Sequence, residues 1–135
     1  MKVTVFLLAQ RLIISALVML TAPTACFSQQ AEQAHDAGKI KFRLDDIRAD
    51  GLRGPADGLV AVSYEFCVPA DAASIAEVKR LDPSVQISPG ARGRVGCKVD
   101  QALCIGNTHQ KGWRGVLEKL AALAYVKEIR ECFFD

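Results

Sequence analysis

Four cysteines, a pair of arginines and one histidine are the side chains of this sequence best equipped for chemistry. Cys67, Cys97, Cys104 and Cys132 form an even set, and in an exported chain an even set pairs into structural disulfides. No CxxC occurs, so there is no local thioredoxin-type redox pair. The cysteine spacing also fits no zinc ribbon or finger, and no metal or cofactor is expected. Arg92-Gly93-Arg94, between Gly90 and Gly96, sets two guanidiniums on a glycine-rich backbone suited to a carboxylate or phosphate. It lacks the GxxxxGK[ST] spacing of a phosphate loop, and a soluble hairpin tip would carry the same charges.

His109 sits in Gly106-Asn107-Thr108-His109-Gln110 and is a weak catalytic candidate, as general base or as a pH-sensitive ligand contact. Sequence spacing places no serine or free thiol beside it, and a lone histidine supplies one member of a catalytic set. Asn107 or Thr108 capping a helix accounts for its neighbours without catalysis. Glu65 falls on the outward face of a strand, where a solvated carboxylate is ordinary, and Trp113 reads as a helix anchor.

The N-terminus decides the compartment in which these groups work. Lys2 and Arg11 precede an apolar run from Leu12 to Leu20, followed by small and polar residues, the layout of a secretory signal over residues 1–28. A spanning helix would hold Arg11 near its middle, at a cost of about 2.5–3.5 kcal/mol. Cleavage after Ser28 is expected. In the alternative, Thr24-Ala25-Cys26 resembles the end of a lipobox, which makes Cys26 a possible lipidation site. Membrane attachment is expected only through an uncleaved signal or such an anchor.

The whole chain has 135 residues, 17 Lys+Arg against 15 Asp+Glu, and five Cys. Removing Lys2 and Arg11 with the signal leaves 15 basic against 15 acidic side chains, so the mature net charge is zero. That removes the bulk electrostatic case for a nucleic-acid partner. Cys26 leaves as well, and the remaining thiols are the four that can pair.

The elements that must position these groups follow from periodicity and punctuation. Residues 29–38 are polar without an apolar period and read as a flexible leader, so a single disulfide-stabilised α+β domain is expected over 39–135. Ile40, Phe42 and Leu44 alternate with Lys39, Lys41 and Arg43, a half-buried strand. Ala49-Asp50-Gly51-Leu52 and Ala56-Asp57-Gly58-Leu59 repeat one turn signal around Pro55. Residues 59–67 form the clearest strand, with Val60, Val62, Tyr64 and Phe66 facing the core.

Asp71 caps a helix with apolar positions at Ala72, Ile75, Val78 and Leu81, and Pro83 stops it. Residues 85–88 suggest a short strand, 89–98 an irregular turn, and 102–106 a buried strand. Trp113, Val116, Leu117, Leu120 and Ala124 make a helical stripe, and residues 125–134 a final strand with a bulge.

The order strand, helix, strand, strand, helix, strand over residues 59–135 resembles the ferredoxin-like βαββαβ plan: an antiparallel sheet in spatial order 4-1-3-2 with two helices on one face. The likeness is one of topology, without a sequence motif, and that plan hosts many unrelated activities. It would put Cys104 and Cys132 two strand spacings apart, about 9.6 Å, beyond disulfide reach. That disfavours the pairing that contains Cys104 with Cys132, and of the two left, Cys97 with Cys104 and Cys67 with Cys132 is the preferred expectation. The Arg loop and His109 fall at opposite ends of such a sheet.

A periplasmic or secreted binding protein is therefore expected, in the bacterial cell envelope or outside the cell, that recognises a protein partner or a small anionic ligand through Arg92, Arg94 and His109. In one form residues 89–98 enter a partner's cleft. The alternatives are a small exported hydrolase using His109 and a lipid-anchored envelope component using Cys26.

Overall fold

Alternation of apolar and polar residues makes the central strand and assigns its two faces. The computed structural model describes residues 38–134, so the signal over 1–28, Cys26 and the leader up to residue 37 lie outside the described residues. The elements are β1 (Leu52–Arg53), β2 (Val60–Ala61), β3 (Ser63–Pro69), α1 (Ala72–Leu81), β4 (Gln86–Pro89), β5 (Gln101–Asn107), α2 (Trp113–Ala122) and β6 (Ile129–Cys132). The fold is α+β. β4, β5, β3 and β6 form a four-stranded sheet in that order, every neighbouring pair antiparallel, and β1 with β2 forms a separate two-stranded sheet.

Val62, Tyr64, Phe66 and Val68 share one face of this sheet with Ala102 and Cys104, and there they meet Val78 of α1 and Leu117, Leu120 and Ala121 of α2. Full burial of each such aliphatic or aromatic side chain contributes about 1.5–3 kcal/mol, so this layer dominates stability. Gly106 belongs to the same face, and a Cβ there would lie 2.4 Å from Asp82 Oδ2 and 2.7 Å from the Tyr64 ring. Only glycine lets β5 pass that close to the buried Tyr64–Asp82 pair.

Four expectations are corrected. Residues 59–67 are not one strand: the Val62 N–H donates to the Thr108 side-chain Oγ1, and the Val62 carbonyl accepts from the Thr108 N–H. A side chain thus replaces the ladder acceptor, and the chain leaves the main sheet as β2. Residues 39–44 form one parallel bridge, Ile40 with Ile129, before a 3-10 turn at Leu44–Asp46. The alternation still packs Ile40, Phe42 and Leu44 half-buried against the core, while Lys39 Nζ donates to the Ala121 and Leu123 carbonyls at the end of α2.

The cap of α2 is Gly112, at φ 70°, and not Asn107 or Thr108. Both of those side chains are engaged elsewhere: Asn107 Oδ1 accepts from the His109 N–H, and Thr108 Oγ1 donates to the Gly51 carbonyl. Gly51, at φ 82°, is required there, because a Cβ would sit 1.7 Å from the Thr108 carbonyl oxygen. Finally, the last strand spans only Ile129–Cys132, since residues 123–126 close a turn through the Val126 N–H and the Leu123 carbonyl.

α1 follows its local signals. Asp71 accepts from the Ser74 N–H at 2.8 Å and from the Ser74 hydroxyl at 2.8 Å, and these bonds, the backbone one foremost, hold its carboxyl below the usual carboxylate range. A depressed native pKa gives stability that is complete above the ordinary carboxylate value and lost as pH falls through the depressed one. Asp71→Ala therefore lowers the melting temperature at neutral pH, and the gap from wild type shrinks as pH falls below the ordinary carboxylate range. Melting curves across pH check this, and a gap that stays constant into acid rejects it.

Candidate functional site

The chemistry-bearing side chains gather on the sheet face turned away from the helices. Period-2 geometry points Ser63, Glu65 and Cys67 of β3 to that face, and the register Cys67↔Leu103, Glu65↔Arg130 and Ser63↔Cys132 adds their cross-strand neighbours. The face is not open: residues 90–98 fold across it. Three contacts hold them there. Cys97 is disulfide-bonded to Cys67, with Cα atoms 5.4 Å apart. The Val95 N–H donates to Glu65 Oε1 at 2.6 Å, and the Cys97 N–H closes the loop onto the Arg92 carbonyl at 2.7 Å. At Gly93 a Cβ would meet Leu103 Cδ1 at 2.6 Å and Glu65 Oε2 at 2.9 Å, so glycine permits the close approach.

Two sequence-based expectations fall here. Glu65 is not solvated; it is 2% exposed and is the acceptor that anchors the loop. Residues 89–98 are not a protruding hairpin tip but a clamped cover. Alternation along 59–67 places Glu65 away from the core yet says nothing of a cover. The available signal was that Cys67 shares its face, so its disulfide partner had to cross it.

The disulfide pairing is also corrected. Cys97 with Cys104, and Cys67 with Cys132, are replaced by Cys67–Cys97, with Cys104 and Cys132 as buried thiols. Cys104 opposes Phe66 and points into the helix-side core, so the sheet itself separates it from Cys97. Cys132 opposes Ser63, four residues along β3 from Cys67, or about 13 Å at the strand rise. Cys104 and Cys132 face opposite sides of the sheet across β3.

Neither thiol is disposed to act as a nucleophile. Burial, with the Asp82 charge second, pushes Cys104 up to about 12. Burial also raises Cys132, helped by the Glu65 charge and the hydrogen bond to Glu65, with Arg94 acting in the opposite direction. Arg94, itself exposed, is thus close enough for its charge to act on Cys132. Arg92 is exposed and forms no ion pair among the described residues.

His109 is exposed and lies apart from this cluster, in a shallow cleft with Ala49, Asp50, Gln110, Lys111 and Gly112. Asp50 in that cleft is engaged with Arg48 at 3.2 Å. The cleft beside the disulfide shares no residue with it. The structure therefore brings Arg92 and Arg94 onto one loop and does not bring His109 to them. Among the described residues no group of three or more His, Cys, Asp or Glu side chains could hold a metal ion, and no helix is long and apolar enough to cross a membrane.

Sequence reasoning missed a second polar centre. Asp82, fully buried at the end of α1, accepts from Tyr64 Oη at 2.6 Å, the Ser84 N–H at 2.9 Å, Ser84 Oγ at 2.6 Å and Gln110 Nε2 at 3.0 Å. Burial first, then the Asp82 charge, raises the Tyr64 phenol well above its usual value. The side chains come from three separate stretches of sequence, and only the carboxylate before Pro83 hinted at a local turn.

Comparison of the chain with protein-family models, curated proteins and solved structures finds no match.

Proposed function

We propose that this chain is an exported binding protein of the bacterial cell envelope or extracellular space, which recognises an anionic group on a protein partner or small ligand through Arg92. The observation that carries this reading is the clamped loop. Arg92 has no ionic partner among the described residues, and it stands on a backbone pinned by Cys67–Cys97 and by the Glu65 carboxylate. A pinned loop loses less conformational entropy on binding than a free one, which favours recognition over a merely solvated turn. Arg94, whose charge acts on Cys132, is assigned to holding the loop.

The disulfide supports an oxidising compartment, and periplasmic or secreted localisation belongs to the same proposal. So does the ferredoxin-like assignment, which the antiparallel order β4-β5-β3-β6 supports. The hydrolase alternative draws no comparable support, because the His109 ring makes no hydrogen bond to a nucleophile or carboxylate among the described residues.

A thermal-shift screen of acidic peptides and small anions tests the binding reading. A ligand at ten times its Kd adds about 1.4 kcal/mol, or about 6 °C for a domain of this size. That rise is expected to vanish in Arg92→Ala. A screen with no stabilising anion, or one whose hits stabilise Arg92→Ala equally, rejects it.

A further inference from the structure

Beside the disulfide the loop leaves a cleft of about 240 Å³, lined by Cys67, Val95 and Gly96 together with Lys98, Lys127 and Glu128. The two lysines come from distant parts of the chain, one following Cys97 in the loop and the other in the turn before β6. Neither forms an ion pair among the described residues; Lys127 Nζ reaches only the Ala124 carbonyl, at 3.4 Å. Glu128 does not neutralise them, because its carboxylate is paired with Arg130 Nε at 3.0 Å. Two lysines with no ion pair among the described residues thus line one small cleft.

The backbone of this cleft is set in advance. The disulfide fixes Cys97, and the Lys98 N–H donates to Gln101 Oε1 at 2.9 Å, so the chain carrying one ammonium is positioned before any ligand arrives. The volume lies below the roughly 300 Å³ typical of sites for whole drug-sized ligands, so it suits a single anionic group.

We propose that this cleft binds a phosphate-type oxyanion, held between the Lys98 and Lys127 ammonium groups. A phosphate group carries about −1.5 to −2 charges at neutral pH and several strong acceptor oxygens, which matches two point-charge donors. A carboxylate would leave one ammonium uncompensated, and the cleft lining lacks the guanidinium fork that reads carboxylates bidentately. The site is built from different side chains than the Arg92 reading and stands or falls without it.

The test is a titration of the oxidised protein with inorganic phosphate at constant ionic strength, followed through the backbone amide resonances of Gly96, Lys98 and Lys127. Saturating shifts are expected, with a Kd of about 1 mM. Lys98→Gln/Lys127→Gln weakens the affinity at least about tenfold, the loss expected when charge-assisted bonds are removed. Both lysines are on the surface, so that variant should keep the wild-type spectrum elsewhere. Arg92→Ala leaves the phosphate shifts intact, which separates failure of this site from failure of the Arg92 reading. Shifts that grow linearly without saturating, or that saturate equally in the double variant, overturn the proposal. Acetate saturating as tightly as phosphate overturns the ligand class.

Discussion

Reduction of the Cys67–Cys97 bond is expected to lower the melting temperature by about 20 °C. The bond spans a sequence separation of 30, and the chain-entropy relation gives about 3.6 kcal/mol for closing such a loop. At about 4–8 °C per kcal/mol for a domain near 100 residues, that is a large part of the folded margin. The prediction is specific to the pair. A Cys104→Ala/Cys132→Ala variant starts from a lower stability, because both side chains are buried, yet falls by the same further amount when a reductant is added. Cys67→Ser/Cys97→Ser melts at the reduced temperature whether or not a reductant is present. Calorimetry of the three proteins decides it, and continued sensitivity to reductant in Cys67→Ser/Cys97→Ser places the bond elsewhere.

Asp82→Ala is expected to cost about 3 kcal/mol or more, because at least two buried donors lose their acceptor at about 1–3 kcal/mol each. The carboxylate is fully buried and is stabilised by the dipoles of Tyr64, Ser84 and Gln110, with no cation bonded to it among the described residues. It also caps the end of α1, where the helix dipole disfavours a negative charge, so these donors offset both burial and the dipole. Tyr64→Phe removes one charge-assisted bond and costs about 1.5–3 kcal/mol. Since the two groups share that bond, the double variant loses less than the sum of the singles. Urea unfolding of the three variants measures this cycle. An Asp82→Ala loss within about 0.5 kcal/mol, the range of ordinary surface changes, would show that the network carries no such weight.

How far the sequence could be read depends on the distance over which each interaction acts. Asp71 and Pro83 mark α1 through groups within one helical turn, and the helix runs Ala72–Leu81 between them. The alternation at Ile40, Phe42 and Leu44 identifies the half-buried side chains correctly, but the backbone there makes a single bridge to Ile129. The burial pattern is a property of the segment, whereas strand pairing needs a partner edge. Thr108 shows the converse: it reads locally as a helix cap, and its hydroxyl is captured by Val62 and Gly51 from far along the chain.

Composition, alternation and punctuation were enough to establish an α+β chain, the position of α1, the apolar face of β3 and the placement of Arg92 and Arg94 in a glycine-rich turn. Folding in three dimensions decided which thiols meet, what covers Glu65 and which side chains converge on Asp82 and on the lysine-lined cleft. The physical reason is visible in the cysteines. Parity along a strand says that Cys67 turns away from the core, but the side of the sheet on which Cys97 and Cys104 end depends on where the intervening loop folds and how β5 is registered against β3. Once Phe66 stands opposite Cys104 and Val95 is bonded to Glu65, Cys67 and Cys97 lie together, the sheet separates Cys104 from both, and Cys132 stands four residues along β3 from Cys67.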